Sequence, residues 1–375
     1  MPILKRNGRV VVLDKPKGKF TVKEYPVPEP GPGTLLLKVE MCGICGTDVH
    51  YWLGDEPILR FPFPVLFGHE VVGRAVSIGE GVNTDILGNP VKIGDRIILV
   101  PLVTCGKCYY CTIAREPVKC LNAKAYGHIQ DGKPYFTGGY SDYLYVFIPN
   151  TVFLKTDLPA EVAIFTEPLS IAVNAVERVR VNPGETVVIQ GSGPIGLMTL
   201  ICAMEAGATK TIVVGGPKER LKLAEELGAD RTINIYDVKD SRKRVEIVRK
   251  ETPGGFGADV VFECAGVPEA VPEGIDYLRF FGRYCEAGNF ANTGTVEINP
   301  CTHICAKCAI IVGAWSSLPD HCVKALRILE TGKYPIEKLI SHKLPLERLE
   351  EAFRALSTNY EIDGKEATKV VVTPQ

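Results

Sequence analysis

Up to about residue 155, apolar residues come in short runs with turn chemistry between them. The runs at 10–13, 35–41, 71–78 and 96–103 are separated by Pro- and Gly-rich joints, most plainly PVPEPGPG at 26–33. Regular turn signals between short apolar runs predict a compact β-barrel-like domain rather than βαβ units. Residues 47–53 read as a helical segment with Thr47 near its start, which puts Thr47 and His50 on one face. From 160 to 180 the period becomes helical, with Glu167-Pro168-Leu169 inside it. A proline there kinks the helix or marks its first turn. Taken alone, Glu167 reads as a solvated helix residue.

Beyond this point strands and helices alternate. TVVIQ at 186–190 is a buried-strand run, 197–206 a helix ending at Gly207, and 211–214 the next strand. Helices at 218–227, 241–252 and 269–281 alternate with strands at 231–235, 259–263, 283–287 and 308–314. Such alternation predicts a doubly wound parallel sheet. The remainder, 318–375, reads as one or two helices and a closing strand at 367–373 that returns to the first domain. The domains expected are therefore 1–170, 171–317 and 318–375.

The first strand of the alternating region runs into Gly191-Ser192-Gly193-Pro194-Ile195-Gly196. GxGxxG between a strand and a helix is a dinucleotide fingerprint. Gly191 permits the tight turn, Gly193 lets backbone approach a pyrophosphate, and Gly196 lets helix and strand pack closely. The anion would sit at the helix N-terminus, where free N–H groups and the dipole favour it. An NAD site usually has Asp or Glu ending the second strand, on the ribose hydroxyls. Here that end is Val214-Gly215-Gly216-Pro217-Lys218-Glu219-Arg220, with no acid in place. Lys218 or Arg220 could meet a 2′-phosphate, or both are exposed charges opening a helix. NAD and NADP stay open, with a slight lean to NADP.

Composition excludes some partners. The 375 residues carry a net charge of −1, without the basic excess that nucleic acid requires. The opening residues carry no signal-peptide core, and the apolar runs are broken by Gly, Pro or charge, so no membrane span is expected. A cytoplasmic location is the plain expectation. Thirteen cysteines then point to metal or buried thiols rather than disulfides.

Two cysteine-bearing stretches have metal spacing. Cys105, Cys108, Cys111 and Cys120 make a closed tetrahedral set, which would be structural. Between Cys42 and Glu70, the segments CGICGTDVH and GHE offer Cys45, His69 and Glu70. Catalytic zinc takes about three protein ligands and keeps one position open; Cys45 and His69 fit, with Glu70 or a distant carboxylate completing the set. Thr47 and His50 supply what proton removal from an alcohol needs. Cys301, His303, Cys305 and Cys308 also invite a metal. However, 296–298 and 308–312 read as strand ends there, which favours buried thiols. His128, His321 and His342 stand alone and read as surface or hydrogen-bonded structural residues. Tyr51, Trp52 and the aromatic run 61–63 line a substrate pocket or pack the barrel.

CGICGTDVH, GHEVVG, the four-cysteine lobe, Thr166-Glu167-Pro168-Leu169 and GSGPIG, with Glu219-Arg220-Leu221 and Leu227-Gly228-Ala229-Asp230 after it, occur in one order. Together they resemble the zinc-containing medium-chain dehydrogenase/reductase family over nearly the whole chain. The resemblance implies a GroES-like barrel, a Rossmann domain and a C-terminal return to the barrel. It implies Cys45 and His69 as catalytic zinc ligands, with Cys42 not among them. It places Glu167 where alcohol dehydrogenases have a third ligand, a cysteine; Glu there with Glu70 is more like the sorbitol and threonine dehydrogenase branches. Thr47 and His50 match the family's proton relay. The last gap of the cysteine lobe is one residue longer than usual. The implied reaction is hydride transfer between a secondary alcohol or polyol and NAD or NADP, with two zinc ions per chain and a homodimer or homotetramer as assembly. The alternatives are a zinc-free quinone or enoyl reductase of the same superfamily, and a non-enzymatic dinucleotide-binding redox sensor.

Overall fold

The structure, a computed structural model, describes residues 6–57 and 63–374. Two compact units divide it: residues up to 167 with 317–330 and 340 onwards, and residues 168–316 with 331–339.

In the first unit, the turn-punctuated runs form two sheets. One has the order His128–Gln130, Val65–Phe67, Asn7–Leu13, Phe20–Pro26. The other runs Phe153–Thr156, Arg96–Leu99, Glu70–Ile78, Leu35–Gly43, Lys369–Val372, Ile340–Leu344, with Tyr143–Val146 also on Leu35–Gly43. The expected single strand at 96–103 is two, because Pro101 has no amide to continue the ladder. The closing strand comes back to the barrel: Val371 and Val372 pair antiparallel with Gly43 and Cys42. One core joins both sheets, including Leu37, Val71, Tyr140, Phe353 and Val370. Full burial of a residue such as Leu37 stabilises by about 2 kcal/mol. Trp52 belongs to this core, with Phe20 and Phe353 around its ring and its Nε1 donating to Gly18 O at 3.1 Å. It is barrel packing, and positions 61 and 62 of the aromatic run lie outside the described residues.

The second unit holds a six-stranded sheet with all its pairings parallel: Arg231–Asn234, Lys210–Gly215, Thr186–Gln190, Ala258–Glu263, Leu278–Glu286, Ile310–Gly313. In chain order within the unit this is 3-2-1-4-5-6, the doubly wound arrangement. Thr186–Gln190 is buried throughout, as a central strand covered on both faces requires. Pro194 opens the helix Pro194–Glu205, where its missing N–H costs nothing.

Three expectations change here. The helix expected over 269–281 ends at Tyr277, and the strand begins at Leu278, which pairs with Ala258. The apolar residues that seemed to continue the helix serve the sheet instead. Residues 296–298 form no strand, and Pro300–Cys305 is a wide helical turn whose Cys301 and Cys305 are exposed, as is Cys308. Arg220 is buried rather than an exposed charge.

Candidate active site and dinucleotide site

Strand Leu35–Gly43 leads into helix Gly46–Leu53, so Cys45 stands at the helix N-cap and Thr47 in its first turn. Strand Glu70–Ile78 pairs Glu70 with Gly43, which carries His69 and Glu70 to the same end of the sheet. The Cys45 thiol, a His69 ring nitrogen and a Glu70 carboxylate oxygen all lie within 4.8 Å of one another. His69 and Glu70 are buried. This is a Cys/His/carboxylate donor set of the kind that holds zinc. Glu167, in the first turn of Thr166–Val179, is also buried rather than solvated. Burial raises its carboxyl to about 7 despite the pull of His69, and the Glu70 charge adds to the rise. Cys42 lies apart from the donor set; burial pushes its thiol well above the ordinary value.

Three residues of this site were not legible as functional. Lys369, 3% exposed on the closing strand, is ion-paired to Glu70 Oε2 and donates to Ile44 O at 3.0 Å. Asp48 is fully buried; its Oδ1 is 3.3 Å from His69 Nδ1, and its Oδ2 accepts from Tyr140 Oη at 2.7 Å. Burial alone would raise Asp48, but His69, His128 and Tyr140 hold it below the ordinary carboxylate value. With Nδ1 turned to Asp48, Nε2 is the His69 nitrogen that would be left for a metal, a carboxylate being a usual second partner of a ligating imidazole. His128 does not stand alone: its Nε2 is 3.7 Å from Asp48 Oδ1 and its ring centroid 4.9 Å from that of His69. Burial, with the His69 charge, pushes it down to about 3, so it is neutral. No local sequence pattern marks Asp48, His128 or Lys369, because each partner is distant in the chain.

Thr47 and His50 lie one turn apart on the helix face away from the buried Asp48, Val49, Tyr51 and Trp52. His50 Nδ1 is 2.7 Å from Asp55 Oδ2, and its side chain is 28% exposed. Neither His321 nor His342 stands alone: Leu318 N donates to His321 Nδ1 at 3.0 Å, His321 Nε2 is 3.8 Å from Asp320 Oδ2, and His342 Nε2 is 3.0 Å from Ile362 O.

The lobe gathers Cys105, Cys108, Cys111 and Cys120, again with all four thiols within 4.8 Å. The short helix Tyr109–Thr112 and the turn Pro117–Lys119 take up the chain between them. Hydrogen bonds from the Lys107 amide and Asn122 lower Cys105 to about 6. All thirteen cysteines are unbridged.

In the second unit Gly191 has φ +97°. A Cβ on Gly196 would meet Gly191 O at 1.9 Å, while one on Gly193 would meet nothing within 4 Å. So Gly196 is where helix and strand touch, and Gly193 leaves room for another molecule against the backbone. Ser192 Oγ donates to Gly216 O and accepts from Gly216 N, both at 3.0 Å. It ties the fingerprint loop to the end of strand Lys210–Gly215. A Cβ on Gly215 would collide with Ser192, and one on Gly216 with the Tyr236 ring. Lys218 is exposed at the start of helix Lys218–Leu227, beside that junction.

Comparison with known proteins agrees with this geometry. Residues 31–157 match the family model described as alcohol dehydrogenase GroES-like domain, and 194–331 match that described as zinc-binding dehydrogenase. A sorbitol dehydrogenase of Halalkalibacterium halodurans is 33% identical over 359 residues, 95% of this chain and 96% of that one. An alcohol dehydrogenase structure from Thermotoga maritima superimposes with a TM-score of 0.91 at 32% identity, covering 99% and 100% of the two chains. A protein described as a zinc-binding dehydrogenase from Sinorhizobium meliloti, bound to NADP, gives 0.83 at 31% identity, covering 98% and 100%. The chain therefore belongs to the zinc-containing medium-chain dehydrogenase/reductase family and is a zinc- and NAD(P)-dependent alcohol oxidoreductase.

Proposed function

We propose that Cys45 and His69, with a carboxylate from Glu70 or Glu167, hold the catalytic zinc, and that Cys105, Cys108, Cys111 and Cys120 hold a structural one. The observation that carries this reading is the meeting of Cys45, His69 and Glu70 within 4.8 Å beside the helix that bears Thr47 and His50. Bound zinc supplies Lewis acidity that lowers the pKa of an alcohol, and NAD(P) supplies the hydride acceptor. The protein's own part is to orient and to move a proton. Asp48, steadied by Tyr140, fixes the His69 ring. The Thr47 hydroxyl accepts the substrate proton as it gives up its own towards His50. His50, oriented by Asp55 and partly exposed, releases it to water.

The residues around Gly191, Gly193, Pro194, Ile195 and Gly196 hold the pyrophosphate. Gly215, Lys218 and Arg220 face the adenosine ribose, and the missing acid there favours NADP. The first unit acts as the catalytic domain and the second as the dinucleotide-binding domain. The substrate class is a secondary alcohol or polyol, in keeping with the sorbitol dehydrogenase relative. No helix is long and apolar enough to cross a membrane among the described residues. The location proposed is the cytoplasm, and the assembly proposed a homodimer or homotetramer. The outer strand Ile310–Gly313, with Ile310, Ile311, Phe280 and Phe281 exposed near it, offers an edge for pairing.

The test is reduced-dinucleotide formation from a panel of secondary alcohols, polyols and β-hydroxy amino acids, with NAD and NADP in parallel and a chelator control. Chelator-sensitive turnover with a metal count near two zinc ions per chain is expected. Activity that survives complete metal removal would sink the reading.

A further inference from the structure

The carboxyl ends of the parallel strands in the second unit carry two acids that the reaction leaves unused. Glu263 ends Ala258–Glu263, Glu286 ends Leu278–Glu286, and the register sets them side by side. Glu263 is fully buried. Two carboxylates so close in a low-dielectric site do not both ionise. Among the described residues, no lysine or arginine is hydrogen-bonded or ion-paired to either. The side chains hydrogen-bonded to the pair are neutral, while the Arg178 charge acts on the neighbouring Cys285. Asn289 Nδ2 donates to Glu263 Oε2 at 3.2 Å and to Glu286 Oε1 at 3.1 Å, and Tyr284 Oη donates to Glu286 Oε2 at 3.1 Å. Burial raises the thiols of Cys264 and Cys285 and the Tyr284 phenol, so none of them brings a charge at neutral pH. Burial, with the hydrogen-bonded Glu286 beside it, raises Glu263 to about 8.

The pair holds two loops. Glu263 Oε1 accepts from Ala265 N at 2.7 Å and Gly266 N at 2.9 Å, and Glu286 Oε1 accepts from Asn289 N at 3.0 Å. Loop 264–266 is also the wall of the fingerprint: a Cβ on Gly191 would lie 2.7 Å from Ala265 N and from Cys264 C. Loop 287–289 closes on the first, since a Cβ on Gly288 would meet Glu263 Oε2 at 2.3 Å and Gly266 N at 2.5 Å.

We propose that Glu263 and Glu286 share one proton, and that this acid–carboxylate pair is a positioning device that holds loop 264–266 against Gly191 and so keeps the dinucleotide loop in its binding form. The proposal rests on the dinucleotide assignment made above. Loss of the shared proton places a second negative charge in the pair. The two loops then part or admit water, and Gly191 loses its wall, so dinucleotide binding weakens as pH rises.

The experiment is a fluorescence titration of the full-length zinc enzyme with NADPH and NADH, from about pH 6.5 to about pH 9.5. The wild-type dissociation constant is expected to rise about tenfold across that range. Glu263→Gln, neutral at every pH, should bind like wild type near neutrality and show little rise. Glu286→Gln should flatten the profile in the same way and serves if the first variant does not fold. A flat wild-type profile overturns the shared-proton pair while leaving the site assignment intact. So does a variant with the wild-type slope. Absence of binding to either dinucleotide at every pH overturns the site assignment and the pair together.

Discussion

The two clusters of the first unit proposed to hold metal are built in opposite ways. The cysteine lobe draws four thiols from sixteen consecutive positions, three of them partly exposed, with short turns between. The Cys45 cluster draws on separate elements, and its supports come from farther still: His128 from another strand and Lys369 from the end of the chain. A lobe of this kind organises itself around an ion, and the ion's binding energy is folding energy. The buried cluster is preorganised by packing and by Asp48, Tyr140 and Lys369, so a bound ion would add chemistry to a site that the fold has already shaped. On the proposed assignment, the same element would serve as staple in one place and reagent in the other.

That contrast can be broken in both directions. Cys45→Ser or His69→Ala should reduce turnover by more than about a thousandfold. Dinucleotide binding and thermal unfolding should stay close to wild type, measured by fluorescence titration and calorimetry. Persistence of most activity would show that the wrong residues have been named. Cys111→Ser should do the reverse: the melting temperature should fall by about 10 °C or more, with kcat nearly intact at low temperature. An unchanged melting temperature would remove the staple role.

Asp48→Asn tests the preorganised support. Zinc affinity at the catalytic site should weaken by about 10–100-fold, read by competition with a chromogenic chelator, while the lobe's zinc is unaffected. Equal loss at both sites would point to general unfolding instead. The smallest effect is expected for Asp55→Asn. It leaves His50 in place without its charged partner, and should lower kcat by about threefold, with the loss recovered in part by added imidazole buffer. No change in the pH–rate profile would remove His50 from the proton path.

Much of the fold can be read from the linear pattern. The parallel sheet declares itself through strand–helix alternation, and the barrel through short runs with turns at intervals. Misreadings fall where an apolar stretch serves either period. Residues 278–281 continue a helix pattern, yet Leu278 is claimed by Ala258 across the sheet. Of the two readings open for Arg220, contact with a 2′-phosphate or an exposed charge at a helix start, its burial removes the second. His128 carries no local motif, so its place beside Asp48 and His69 comes only from the pairing of His128–Gln130 with Val65–Phe67.

The sequence by itself determined the family, the two cysteine-bearing motifs, the dinucleotide fingerprint and the absence of an acid after the second strand of the parallel sheet. The fingerprint and the cysteine lobe rest on spacing over short stretches, where backbone geometry brings groups together, and the family on the order of such short motifs along the chain. Only the tertiary structure decided that Lys369 balances Glu70, that Asp48 bridges two imidazoles, and that Glu263 and Glu286 meet behind Gly191. Those contacts join residues tens to hundreds of positions apart. Their energies depend on burial, which sets how strongly charges attract, repel or hold a proton.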